Sequence, residues 1–145
     1  MTVVVQIDNA APPEDVPSAG EIAGWAEAAL ENDGRTVCLR VVGEAEGAQL
    51  NARFRDRQDA TNVLAFPADE PGLLGDIAIC APVATREARE QDKALADHYA
   101  HLVIHGVLHL LGMDHDTPGS AQVMEAKEAQ VLRCFGINDP YGANP

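Results

Sequence analysis

Three histidines in the segment H-G-V-L-H-L-L-G-M-D-H have the chemistry and the spacing to bind one metal ion. His105 and His109 are four residues apart, so on a helix they project from one face, one turn apart. Gly112 can end that helix in a left-handed conformation and turn the chain back, which would bring His115 over the same face. Three protein nitrogens with a fourth position left open are typical of catalytic zinc, whereas structural zinc has four ligands, mostly cysteine. The segment therefore predicts a catalytic Zn²⁺ site at His105, His109 and His115.

His101 lies on the same helical stripe and offers a rival set of ligands. A helix rises about 1.5 Å per residue, so His101 and His109 would be about 12 Å apart, too far for both to bind one ion. We therefore expect His101 to support the site from behind or to be partly solvated. We interpret His98 as an ordinary core or surface residue.

The spacing of the histidines resembles the metzincin pattern H-E-x-x-H-x-x-G-x-x-H, with Gly106 at the position of the glutamate. Metalloproteases of that type use the glutamate as a general base, so Gly106 disfavours a protease. Glycine inside a helix also costs about 1 kcal/mol relative to alanine. We therefore expect a close approach of substrate or of another element at Gly106.

Apolar runs and turn residues predict four strands and five helices around this segment. The predicted strands are Val3–Ile7, Thr36–Val42, 61–67 and 72–80, and the predicted helices are about 19–32, 46–57, one that begins near Pro82, 94–111 and 117–136. The helix at 94–111 is apolar nearly all round, which is typical of a core helix. Because strands come early and helices late, we predict an α+β fold.

The first helix carries an N-terminal signal, since Ser18 and Glu21 have the spacing of a capping box. Trp25 lies on its apolar face with four other residues, so we expect the tryptophan to be core rather than a stacking platform for bases. That face comprises Ile22, Trp25, Ala26, Ala29 and Leu30.

The sequence leaves the role of Asp76 open between two alternatives. Asp76 interrupts an apolar strand and is either a turn or capping carboxylate or a residue that supports the site. In the last helix the apolar positions predict a packed face, formed by Val123, Val131, Leu132 and Phe135.

Length and composition indicate one domain, residues 1–145, large enough to fold without disulfides. The three cysteines are widely spaced and form no C-x-x-C pair, so we expect small buried residues in a reduced cytosol. The chain shows no signal peptide and no apolar run of membrane-spanning length. We expect a soluble, cytoplasmic protein with no membrane partner.

The net charge of −13 argues against a general surface for nucleic acid. The acidity is uneven, however. Residues 1–34 contain seven acidic side chains and no Lys or Arg, whereas residues 35–57 contain five Arg against three acidic residues.

Three segments together resemble the YbeY family of bacterial rRNA maturation endoribonucleases. They are L-N-A-R-F-R-D-R-Q-D-A-T-N-V-L-A-F-P (50–67), L-G-D-I-A-I-C (74–80) and the histidine segment, in an order that covers nearly the whole chain. The resemblance implies a metal-dependent, single-strand-specific endoribonuclease that acts in 16S rRNA 3′-end maturation and ribosome quality control. It implies a small mixed sheet packed with helices, one zinc on His105, His109 and His115, and a catalytically important Arg55. The implied partners are single-stranded rRNA and the small ribosomal subunit, with contacts to ribosomal proteins or assembly factors.

The chemistry is consistent with this resemblance. Zinc polarises phosphoryl oxygens, so a missing carboxylate base is less damaging to phosphodiester cleavage than to peptide hydrolysis. Arg55 presents paired donors to phosphate oxygens, although a surface ion pair with Asp56 or Asp59 is its alternative role. Two other functions stay open: a metallopeptidase, and a non-catalytic ribosome-assembly factor in which zinc supports the fold. The nucleophile, either water or the RNA 2′-OH, also stays open.

Overall fold

The computed structural model describes residues 3–8, 16–55 and 62–141, and for residues 51–55 it describes the backbone alone. Four strands and five helices occur in these residues, which confirms the predicted α+β fold. Their order is β1 (Val3–Ile7), α1 (Ala19–Leu30), β2 (Thr36–Val42), α2 (Glu44–Arg55), β3 (Val63–Pro67), β4 (Leu73–Cys80), α3 (Ala81–Glu90), α4 (Leu95–Leu110) and α5 (Pro118–Arg133).

The four strands form one mixed sheet in the order β1-β2-β4-β3. β1, β2 and β4 are parallel, and β3 runs antiparallel to β4 at the edge. Side chains alternate between the two faces of a strand, so every second residue of β2 and β4 points to the same side. On one side, Val37, Leu39, Val41, Ile77 and Ile79 are buried in the core.

α1 begins and packs as predicted. The Ser18 hydroxyl accepts a hydrogen bond from the Glu21 backbone N–H at 3.1 Å, and the Glu21 carboxylate accepts one from the Ser18 N–H at 3.2 Å. These two bonds complete the capping box. Trp25 is 6% exposed, so the tryptophan belongs to the core. The buried residues of α1 are the five predicted ones, Ile22, Trp25, Ala26, Ala29 and Leu30.

α4 is the central helix of the fold. It contacts α1, α3 and α5 as well as β3 and β4. Its apolar residues are buried nearly all round, as predicted for a core helix. The buried ones around the histidines are Leu102, Val103, Ile104, Val107, Leu108 and Leu110.

α5 differs from the prediction. Val131 and Leu132 are buried as expected, but Val123 is 60% exposed and Phe135 is 42% exposed. The buried stripe repeats every four residues through Met124, and Val123 falls one position outside it. Phe135 lies beyond the last residue of the helix, so it does not continue the stripe.

The described residues also give the burial of the cysteines and the character of the helices. Cys80 is buried as expected, but Cys134 is exposed and Cys38 is half-buried, and all three are free thiols. Among the helices that the structure describes, none has both the length and the apolar character needed to span a bilayer.

Candidate metal centre

The C-terminus of α4 turns the chain in the way that the sequence predicts. Gly112 has a φ of 100°, in the left-handed region. Its N–H donates to the His109 carbonyl at 3.0 Å, and the Met113 N–H donates to the Leu108 carbonyl at 3.1 Å. These two bonds form a Schellman motif, which satisfies the last carbonyls of the helix and reverses the chain. The residues after Gly112 can therefore return to the face that carries the histidines.

The three predicted ligands lie around one cavity. The rings of His105 and His115 are stacked with centroids 4.9 Å apart, and those of His105 and His109 with centroids 6.5 Å apart. The cavity has a volume of about 180 Å³, and Gly106, Val63 and Ala65 also line it. The His105 side chain is 24% exposed, whereas His109 and His115 lie at the surface. The fold thus brings together three imidazoles on an open cavity.

The ring separations can be compared with those of two imidazoles that bind the same ion. Two imidazoles on tetrahedral zinc have centroids roughly 5 Å apart, since each nitrogen lies about 2.0 to 2.1 Å from the metal. The distance of 4.9 Å between the rings of His105 and His115 matches this value, whereas the distance of 6.5 Å between those of His105 and His109 exceeds it by about 1.5 Å. Three imidazoles are also the donors of a catalytic rather than a structural zinc site. The donor types are therefore those of a catalytic zinc site, while the ring separation matches a shared ion for His105 and His115 and is too long for His105 and His109.

A buried carboxylate lies behind His105. Glu128, on α5, is 0% exposed. Its Oε2 accepts a hydrogen bond from His105 Nδ1 at 2.5 Å, and its Oε1 lies 3.2 Å from His101 Nε2. The hydroxyl of Tyr141 lies 2.9 Å from the same nitrogen of His101. His101 and His105 therefore share one buried carboxylate.

The ionisation of Glu128 follows from these contacts. Burial disfavours the charged carboxylate, but hydrogen bonds from His101, His105 and Tyr141 outweigh that cost and lower the pKa of Glu128 to about 2. The pKa of the Tyr141 phenol is raised, first by burial and then by its contact with the charged Glu128. Glu128 is thus an anion that accepts hydrogen bonds from both rings.

His101, His105 and Glu128 also form a group that could hold a metal ion, because one ligand atom of each lies within 4.8 Å of the others. Two ligand atoms that share a tetrahedral ion at about 2.0 to 2.1 Å are roughly 3.3 Å apart. The contact between Glu128 Oε2 and His105 Nδ1 is 2.5 Å, which suits a hydrogen bond better than a shared ion.

Gly106 allows α4 to lie close to the sheet. A Cβ atom at this position would be 3.1 Å from Ile77 Cδ1 and 3.2 Å from Ile77 Cγ2. These distances are tighter than ordinary van der Waals contact. The expected close approach at Gly106 is therefore confirmed, and the approaching element is β4.

A second carboxylate–histidine pair lies further along α4. The Glu87 carboxylate is 2.9 Å from His98 Nε2 and accepts a hydrogen bond from the Asn62 amide at 3.0 Å. His98 is 3% exposed, so it is the core residue that we expected. The network joins α3 and α4 to the start of β3, the strand whose Val63 and Ala65 line the cavity.

Two further candidates from the sequence are Arg55 and Asp76. Arg55 is the last residue of α2, and its side chain lies outside the described residues, as does the whole of Arg57. Asp76 lies inside β4 and is exposed, so the interpretation as a turn or capping residue is wrong. It is on the opposite side of the sheet from Ile77, in a cavity lined also by Arg40 and Leu50.

Glu128 was missed by the sequence analysis, although a signal was present. Met124, Glu128 and Leu132 are spaced by four residues and all are 0% exposed. A glutamate at a core position of a helical stripe is unusual, because charged residues are almost never fully buried unless they are paired. Such a residue is a candidate partner for a nearby histidine.

Comparisons with known proteins agree with this architecture. The family model for Endoribonuclease YbeY matches residues 7–136. The Endoribonuclease YbeY of Alteromonas mediterranea is 43% identical in an alignment that covers 99% of this chain and 99% of the relative. That of Nitrosococcus oceani is 46% identical, covering 97% and 98%, and that of Stenotrophomonas maltophilia is 48% identical, covering 94% and 92%.

A solved structure shares the fold. The solution structure of TM1509 from Thermotoga maritima aligns with a TM-score of 0.61 at 24% identity, covering 97% of this chain and 99% of that one. At this identity the match concerns the fold alone.

Proposed function

Since the chain belongs to the Endoribonuclease YbeY family, we propose that it cleaves single-stranded RNA with a zinc ion held by His105, His109 and His115. The observation that carries the proposal is that these three histidines line one open cavity at the end of α4. Three nitrogen ligands leave a position for water or substrate. We also propose that residues 1–145 act as one domain, since helices and sheet share one core.

In the proposed reaction, the metal and the side chains of the protein have separate roles. When bound, zinc supplies a Lewis acid that can polarise a phosphoryl oxygen and lower the pKa of water. His105, His109 and His115 would hold the metal at the cavity, and the hydrogen bond from His105 to Glu128 would orient that ring. Arg55 would donate paired hydrogen bonds to phosphate oxygens and stabilise the charge that develops there.

We further propose that the substrate is rRNA, that the protein acts on the 3′ end of 16S rRNA and in ribosome quality control, and that it does so in the cytoplasm. The resemblance of the three sequence segments to the family is the support for this proposal. The partners would be the small ribosomal subunit and its proteins or assembly factors. No membrane partner is proposed.

The alternative of a metallopeptidase is disfavoured by position 106. No carboxylate is available at this position to act as the general base, and a Cβ atom there would lie 3.1 Å from Ile77 Cδ1, so a side chain would require Ile77 to shift by a few tenths of an ångström. The alternative of an assembly factor with a structural zinc is disfavoured by the open cavity, since structural zinc has four protein ligands.

A side-by-side digestion tests the proposal. Labelled single-stranded RNA, the same strand in a duplex, and casein are incubated with the protein and with His109→Ala. We expect internal cleavage of the single strand, slow cleavage of the duplex and intact casein, with all cleavage lost in His109→Ala. Cleavage of casein that depends on His109, or RNA cleavage that persists in His109→Ala, would contradict the proposed function.

A further inference from the structure

The burial of Glu128 calls for a physical reason. It occupies a position between Met124 and Leu132 on the stripe of α5 that faces the core, and all three residues are 0% exposed. An apolar side chain would pack there without the cost of removing a charge from water. The contacts that the carboxylate makes must therefore compensate for its burial.

The contact with Glu128 determines which ring nitrogen of His105 carries the proton. A carboxylate only accepts hydrogen bonds, so the short contact with Glu128 Oε2 requires His105 Nδ1 to be the donor. The other ring nitrogen, Nε2, then keeps its lone pair when the imidazole is neutral. That nitrogen is the one available to a metal in the cavity that His105 lines with His109 and His115.

The carboxylate is itself held in place at its second oxygen. His101 Nε2 lies 3.2 Å from Glu128 Oε1, and the Tyr141 hydroxyl lies 2.9 Å from that nitrogen. His101 and His105 project from successive turns of α4. With one oxygen on each ring, the carboxylate has little freedom to rotate.

We propose that Glu128 is a positioning residue of the histidine site. It holds His105 in the tautomer that presents Nε2 to the cavity, and it thereby sets the affinity of the site for zinc. The proposal rests on the function proposed above and assigns the role of one further residue in it. Partners of this kind typically change metal affinity by about 10- to 100-fold.

The test compares Glu128→Leu and Glu128→Gln with the wild type in three measurements. Zinc affinity is measured by competition with a chelator. The tautomer of His105 is measured by ¹⁵N NMR of the zinc-free protein at about pH 8, above the ordinary histidine pKa. Stability is measured by thermal unfolding of the zinc-free protein. For Glu128→Leu we expect zinc affinity to fall by about 10- to 100-fold and the Nδ1–H tautomer of His105 to be lost. Glu128→Gln should lose less, because its amide oxygen can still accept the Nδ1–H bond.

Glu87→Leu is the matched control. Glu87 also pairs with a histidine of α4, at 2.9 Å from His98 Nε2, but His98 does not line the cavity. We expect this variant to keep the zinc affinity and the His105 tautomer of the wild type, whatever its effect on stability.

The outcomes separate this proposal from the proposed function. Unchanged zinc affinity in both Glu128 variants, or an equal loss in Glu87→Leu, would overturn the positioning role. If Glu128→Leu does not fold, Glu128→Gln decides: a fall in zinc affinity supports the positioning role, and wild-type zinc affinity overturns it. A protein that binds zinc with an affinity dependent on Glu128 yet cuts no RNA would contradict the proposed function and support the positioning role.

Discussion

Arg55 is the side chain that we expect to stabilise charge on the scissile phosphate. Arg55→Ala should keep zinc and fold while slowing RNA cleavage by about 100- to 1,000-fold, the usual cost of removing one preorganised donor. The reason is that a guanidinium offers two parallel donors to phosphate oxygens, which alanine cannot replace. Single-turnover cleavage, zinc content and thermal unfolding of the variant check the expectation.

The neighbouring arginines serve as controls for Arg55. Arg53→Ala and Arg57→Ala should weaken RNA binding and affect the cleavage step less. An equal loss of the cleavage rate in all three variants would argue against a specific role of Arg55. Unfolding of Arg55→Ala would show that the side chain packs rather than catalyses.

At the level of residues, the placement of the three histidines could be predicted from the sequence, whereas the contact between His105 and Glu128 could not. The positions of His105, His109 and His115 follow from helical spacing and a left-handed glycine, both of which are local properties. Glu128 is 23 residues from His105, and their contact depends on how α5 packs against α4. Spacing alone does not encode that packing, although a glutamate on an apolar stripe indicates it.

At the level of elements, the distance between α4 and β4 depends on Gly106. Gly106→Ala should leave stability unchanged or lower it by up to about 2 kcal/mol, because the gain in helix propensity of about 1 kcal/mol is offset by overpacking of about 1 to 3 kcal/mol against Ile77. Gly24 in α1 is the matched control, since a Cβ atom there meets nothing within 4 Å. Gly24→Ala should stabilise the protein by about 0.5 to 1 kcal/mol.

Urea unfolding of the two variants, with metal removed, provides the comparison. If Gly106→Ala stabilises the protein as much as Gly24→Ala, then the close packing of α4 on β4 does not explain the glycine.

The elements themselves were predictable where the signal is local. The bounds of β1 and β2 and the capping box of α1 follow from β-branched runs and from the Ser18–Glu21 spacing. The buried face of α5 could not be predicted in this way, because Val123 and Phe135 are as apolar as the residues that are buried. Only the packing of α5 on α4 selects Met124 over Val123.

At the level of the whole molecule, the charge distribution limits how RNA can approach. The net charge is −13, while residues 35–57 hold five of the ten basic side chains. A duplex would place many phosphates against acidic surface, whereas a flexible single strand can bring one phosphate to the cavity and keep the others away. The charge distribution therefore favours single-stranded RNA as the substrate.

Titration of the zinc-free protein with zinc tests whether RNA cleavage depends on one zinc bound by His105, His109 and His115. Zinc is added stepwise to the wild type, His109→Ala and His101→Ala, and bound metal and cleavage of single-stranded RNA are measured in each sample. We expect cleavage by the wild type to rise with bound zinc and to saturate at one ion per chain. His109→Ala should neither bind nor cleave, and His101→Ala should retain most of its bound zinc. Full cleavage without zinc, or zinc retained in His109→Ala and lost in His101→Ala, would contradict this dependence.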